Sequence, residues 1–128
     1  MSLTNAFETS TLQYLLTTDS VTRPTAWYVG LFTSDPTDTG TAGTEVSGFS
    51  YARTAATFTV TGDTATNSSA VEFPAASGGN WGTIGWIGIM DASSGGNMII
   101  HSALDVAKAI NDGDVFRIPT GDLDITAS

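Results

Sequence analysis

Apolar side chains near the start of the chain recur at helical spacing. Phe7, Thr11, Tyr14 and Leu15 fall on one stripe, which Leu12 and Leu16 widen. The pattern predicts a single helix over residues 4–17, with Asn5 as N-cap and Glu8 three residues later completing a capping box. Thr17-Thr18-Asp19-Ser20 ends it, and Arg23-Pro24 forces extended backbone beyond. The stripe has two possible destinations, the β body of the same chain or a neighbouring chain.

After Pro24 the period changes to two. Trp27, Val29 and Leu31 alternate with Tyr28, Gly30 and Phe32, so this strand carries large groups on both faces and is expected to be buried on both. Residues 34–48, SDPTDTGTAGTEVSG, form a long loop of turn-favouring residues. A second strand runs from Tyr51 to Thr61, with Thr57, Thr59 and Thr61 as a wet face opposite Phe58 and Val60. Gly62-Asp63 is a turn, Val71-Glu72-Phe73 a short strand closed by Pro74, and 75–82 a second loop that ends near Trp81. Thr83–Met90 is the most apolar strand. Glycines at 82, 85 and 88 imply close packing over it. Asp91–Asn97 turns it into a hairpin partner, Met98–Leu104, and Ala103–Ile110 has room for a helical turn. Val115–Ile118 and Leu123–Thr126 are the last strands. Short strands with a turn signal every 8 to 12 residues or so predict a mainly β, antiparallel sandwich or barrel-like domain over 25–126, preceded by one short helix.

Composition sets bounds on that domain. A chain of 128 residues, 41% hydrophobic, is one domain able to bury roughly two-thirds of its unfolded surface. Thirteen acids against Arg23, Arg53, Lys108 and Arg117 give a net charge of -9. Phosphate and anionic lipid contacts need Lys and Arg, so neither nucleic acid nor membrane is an expected partner. There are no cysteines, hence no disulfide or thiolate chemistry. No apolar run approaches a membrane span of ~20 residues, and MSLTNAFETS lacks the basic start and apolar core of a signal peptide. Synthesis in a cytoplasm is the expectation.

Catalytic chemistry finds little to build on. His101, the single histidine, sits in MIIHSAL as an ordinary strand residue, and no G-x-S-x-G elbow accompanies it. Acid-bearing turns at Asp112-Gly113-Asp114 and Gly121-Asp122-Leu123-Asp124 depart from EF-hand spacing, and Asx turns account for them. With thirteen acids a close carboxylate pair is expected by chance, so pairing alone is no argument for glycoside hydrolysis. Asn67-Ser68-Ser69 is a sequon by letter only. The expectation is therefore a non-enzyme with no cofactor and no metal.

Candidate contact residues come from the aromatics and the isolated cation. Trp27 and Trp86 read as core. Trp81, between glycines in ASGGNWG, serves either packing or contact, as an interface anchor or a sugar-stacking platform. Arg53 pairs with an acid such as Glu45 or Glu72, in its own chain or in a neighbour. Phe7, Tyr14, Glu45, Tyr51, Arg53 and Trp81 are the candidate assembly contacts, with the loops at 34–48 and 75–82.

Ordered segments along nearly the whole chain resemble a family of small phage virion proteins known as tail-fibre or head-decoration proteins. They are the N-terminal helix with Asn5, Tyr28–Thr33, Glu45-Val46-Ser47-Gly48 before Tyr51-Ala52-Arg53, and Val71–Pro74. Trp81-Gly82, Asp91-Ala92 leading to Gly95-Gly96-Asn97, and Gly121-Asp122-Leu123 complete them. The resemblance implies a virion structural protein. Compact size and the lack of shaft repeats point, by analogy, to a capsid decoration (cement) protein. Such a protein would bind the major capsid protein and copies of itself as a homotrimer on the outer surface of the head. The alternative is a tail-fibre or tail-tip domain that binds a host surface glycan through Trp81.

Overall fold

The first strand after Pro24 is buried on both faces, as its composition requires. In a computed structural model that describes residues 2–127, β2 (Tyr28–Phe32) lies between β7 (Gly82–Met90) and β3 (Thr54–Ala55). β8 (Met98–Ile110) and β1 (Ser2–Leu3) complete a five-stranded antiparallel sheet in the order β1-β8-β7-β2-β3. Val29 and Leu31 point to one face and meet Ile89 and Ile87 across the register. Tyr28 and Phe32 point to the other, where Trp86, Met90 and Met98 form a smaller cluster.

One glycine explains how that second face packs. A Cβ on Gly88 would lie 2.6 Å from the end of Met98 and 3.1 Å from the Phe32 ring, so the missing side chain lets both settle on the strand. Gly85 meets nothing within 4 Å; the glycine spacing there has no packing role.

The larger face of the sheet is covered by two smaller antiparallel sheets. One is β4 (Phe58–Thr61), β5 (Thr64–Asn67) and β10 (Asp124–Thr126), in the order β10-β5-β4. The other pairs β6 (Val71–Glu72) with β9 (Arg117–Ile118). Val71, Phe73, Phe116 and Leu123 pack with Val29, Leu31, Ile84, Ile87 and Ile89 in one core. The result is the expected mainly β, sandwich-like body with one short N-terminal helix, α1 (Asn5–Leu16).

Several elements differ from the sequence reading. The predicted strand over 51–61 is two pieces, β3 and β4, and Tyr51 precedes both. Val60, expected to face inward, is 70% exposed because β4 runs past the edge of the core. β5, TATN, is a strand without a large apolar residue; it forms because Gly62 at φ +61 closes a two-residue turn that lays it on β4. The helical turn expected within 103–110 is absent, since β8 continues as a strand. It bulges where the four residues 104–107 lie opposite Gly85 alone, and Val106 there is 73% exposed.

The small sheet is tied to the chain's end by one buried amide. Asn67 has no exposed surface. Its Nδ2 donates to the carbonyls of Ser69 and Pro119, both at 2.9 Å, and its Oδ1 accepts from Gly121 N (3.1 Å) and Leu123 N (2.9 Å). The sequon asparagine is therefore internal, out of reach of any modification while the chain is folded. Truncating it leaves buried backbone groups unpaired, at about 1–3 kcal/mol each. Asn67→Ala should lower unfolding stability by about 2–4 kcal/mol in urea denaturation, while Thr59→Ala on the exposed face of β4 should stay within ~0.5 kcal/mol of the parent.

Candidate functional site

β3 covers only the first part of β2, and the rest of that edge would expose unpaired backbone groups. The loop at 34–48 and Tyr51 close it. Thr33 N donates to Thr44 O (2.9 Å) and Val46 N to Leu31 O (3.0 Å). The remaining donor, Leu31 N, bonds the Tyr51 hydroxyl at 3.0 Å. That hydroxyl in turn donates to Glu45 Oε2 at 2.6 Å.

Glu45 also receives Arg53 in two-pronged fashion, Nε to Oε2 and Nη2 to Oε1, both at 2.8 Å. The free nitrogen Nη1 donates to Ala92 O (2.9 Å) and Gly95 O (2.7 Å) in the β7–β8 turn. The 34–48 loop and the β7–β8 turn thus meet at one guanidinium. Of the two acids expected for Arg53, Glu45 is its partner; Glu72 instead faces Arg117 across β6 and β9, at 3.8 Å on the surface. Burial and the Glu45 hydrogen bond push the Tyr51 hydroxyl well above the usual tyrosine range, while the Glu45 hydrogen bond raises Arg53.

Behind this edge lies an aromatic cluster. The Tyr51 ring meets Trp81 edge-on at 5.3 Å, and Phe73 meets Phe116 edge-on at 5.6 Å. Trp81 is 5% exposed, and its Nε1 donates to Phe49 O at 3.0 Å. Of the two roles weighed for Trp81, packing is the one observed. The sugar-platform expectation is corrected, because the indole has no free face to offer. Trp27, expected in the core, is 37% exposed, and Trp86 is half-buried against Phe32 and the methionines.

His101 pairs with Asp38 (Nε2 to Oδ1, 2.9 Å), which binds the 34–48 loop to β8. The acid-bearing turn at 112–114 satisfies backbone groups: Asp114 Oδ2 accepts from Asn111 N and Asp112 Oδ1 from Gly78 N. Among the described residues no three metal-ligating side chains gather.

The N-terminal helix is built differently from the expectation. Thr4, not Asn5, is the N-cap, and no side chain caps the helix. Thr4 is buried because its backbone N donates to Ile99 O (3.0 Å) and its hydroxyl to Met98 O (2.7 Å), so the capping hydroxyl belongs to the sheet. Asn5 N donates to Asp38 O (2.8 Å). Beyond this root α1 leaves the body. Phe7 is half-buried against the core, but no residue of the helix is fully buried. Leu12, Tyr14, Leu15 and Leu16 are 58%, 66%, 66% and 76% exposed. Thr9, Ser10 and Thr11 turn their hydroxyls onto the carbonyls four residues back. Between α1 and the returning residues 21–24 runs a groove lined by Phe7, Thr11, Tyr14, Leu15, Val21 and Pro24, with Arg23 beside it.

The six candidate contacts therefore separate into two places. Glu45, Tyr51, Arg53 and Trp81 hold the body together, and Phe7 and Tyr14 lie on the helix. Leu12 and Leu16, which the sequence reading used only to widen the stripe, are with Tyr14 and Leu15 the exposed large apolar side chains of α1.

Glu45→Ala leaves a largely buried guanidinium without its carboxylate and should cost about 2–4 kcal/mol by chemical denaturation. Tyr51 carries a pH signature. Its folded pKa lies above the unfolded value of about 10, so its contribution is complete below pH ~10 and is lost as pH rises beyond that, where only the unfolded chain sheds the proton. Stability measured from pH 8 to 11 should fall less steeply in Tyr51→Phe than in the parent, although the variant starts lower at pH 8.

Comparison with known proteins agrees with the order of segments along the chain. No curated protein matches it. The family described as Podophage GP4 fiber I protein gp80 matches residues 2–126, nearly the whole length. With its sheet, edge cluster and helix all inside that match, the chain belongs to this family of bacteriophage fibre proteins.

Proposed function

We propose that this chain is a non-enzymatic structural part of a podophage tail fibre, assembled through α1, with the β body carried as an outward module. The observation that carries this is the state of the helix. A 12-residue helix is marginal on its own in water, and apolar side-chain burial normally stabilises it. Here four large apolar side chains of α1 remain in solvent. Assembly with copies of itself or with other virion proteins would bury them.

The titratable groups support a structural role. Arg53, Glu45 and Tyr51 are bonded to one another at the sheet edge, and His101 to Asp38. An exposed helix would serve equally well on a capsid surface. The family match favours the fibre over the head-decoration reading and its major-capsid partner. Recognition of a host glycan through Trp81 has no support from the geometry.

Cryo-electron microscopy of the intact particle tests the reading. Density for the body is expected at the tail, and it should be lost from particles made without this chain. Density repeating over the capsid lattice would overturn the fibre assignment.

A further inference from the structure

The turn at Phe49 carries a side chain that its backbone does not need. The Phe49 carbonyl serves the fold, accepting from Trp81 Nε1 (3.0 Å) and Ser77 N (3.1 Å). Phe49 and Ser50 both have positive φ, a conformation that glycine or asparagine adopts at lower cost than an aromatic residue. The ring is nevertheless there, and it is 48% exposed. It is also held in place. A Cβ on Gly79 would lie 2.5, 2.6 and 2.7 Å from three atoms of the ring, and one on Gly78 3.9 Å away, so two bare glycines form the bed on which the ring rests. The loop that buries Trp81 thus displays Phe49 in its place.

Polar groups with unused bonding capacity flank the same glycines. Asp112 Oδ1 accepts from Gly78 N (3.0 Å), and Asp112 N donates to Asn80 Oδ1 (2.8 Å). Asp112 Oδ2 and Asn80 Nδ2 bond nothing among the described residues, and both side chains are exposed. One offers a carboxylate acceptor and the other an amide donor, each fixed through its other atom.

We propose that Phe49, Asp112 and Asn80 form a binding site for a neutral pyranose sugar. The apolar C–H face of the sugar lies on the Phe49 ring, one hydroxyl donates to Asp112 Oδ2, and a neighbouring hydroxyl oxygen accepts from Asn80 Nδ2. The bare Gly78–Gly79 backbone lets the sugar come close. Two features select this ligand class. A protein contact centred on an aromatic is ringed by groups that exclude water, whereas Phe49 is bordered by glycines, Ser50, Ser77, Asn80 and Asp112. An acidic sugar would meet Asp112 and Asp114 in one turn of a chain that carries -9. The site uses nothing from α1, and its failure would leave the tail assignment standing.

Titration of the isotope-labelled chain with methyl glucoside, mannoside, galactoside and N-acetylglucosaminide, followed by amide NMR shifts, tests the site. At least one should bind with a Kd on the order of 1 mM, the affinity open to a single sugar ring. The shifts should centre on Gly48–Ser50, Ser77–Asn80 and Asp112. Methyl glucuronide, the acidic probe, should bind about tenfold more weakly than that sugar. Phe49→Asn keeps a residue suited to the left-handed backbone and removes the platform; it should lose about tenfold in affinity with the core amide shifts unchanged. Gly79→Ala keeps Phe49 but displaces its ring, and should weaken binding about fivefold. Asp112→Asn retains an acceptor for Gly78 N but turns the free acceptor into a donor, and should cost about tenfold. No binding by any of the four neutral sugars, shifts away from these segments, or undiminished affinity in Phe49→Asn or Gly79→Ala would overturn the proposal.

Discussion

The body depends on how one strand's edge is finished. β2 is the most buried strand, yet β3 pairs with only its first two residues. Beyond them the sheet would end in unpaired backbone groups next to the core, and each such group costs more than an ordinary hydrogen bond returns. Residues 44–46 supply part of the missing pairing, and the Tyr51 hydroxyl supplies the last piece. That hydroxyl is useful only if it is held in place, and Glu45 holds it. Glu45 in turn is neutralised by Arg53, whose remaining nitrogen reaches the β7–β8 turn. The ion pair therefore does more than balance charge: it allows a loop and a side chain to do the work of a strand.

This arrangement explains why a loop rich in glycine and threonine is ordered. Gly43 is tightly enclosed: a Cβ there would lie 2.7 Å from Ser34 O and 2.9 Å from the backbone of Pro36. Asp35 accepts a hydrogen bond from Thr37 N, and Ser34 from Thr44 N. Close backbone approach and short side-chain bonds replace the apolar burial the segment lacks. The turn before Tyr51 is strained by comparison. Phe49 and Ser50 both have positive φ, at 52° and 67°, and each such residue costs about 1–2 kcal/mol. Trp81 Nε1 and Ser77 N both bond Phe49 O, so the aromatic core secures the turn that presents Tyr51 to β2.

Much of the fold was legible in the chain. Period-two apolar runs located β2 and β7, and helical spacing located α1 to within a residue. What was missed required distant partners. β5 has no large apolar residue and is a strand because of its neighbours. Asn5 carries the cap signal, but Thr4 is drawn into β8 and the helix begins there instead. Trp81 sits in a glycine-rich stretch, Gly78-Gly79-Asn80 before it and Gly82 after, which suggests display, while its ring lies in a cluster assembled from four separate segments. Glu45, Tyr51 and Arg53 were visible as residues worth naming. Their linkage to Leu31 N was not, because nothing local marks where β3 stops. For the helix, sequence left open whether its apolar residues face inward or outward, and the structure places four of them in water.

The burial of Thr4 has a mechanical consequence. The residue that starts the helix is also fastened to β8 by its backbone and by its hydroxyl, so no loose joint separates the sheet from α1. A 12-residue helix is about 18 Å long, and it leaves the body as a rigid spar whose angle is set at its base. Whatever grips the far end of that spar also fixes the bearing of the β body. The orientation of each module within a particle is thus written into two carbonyls of β8.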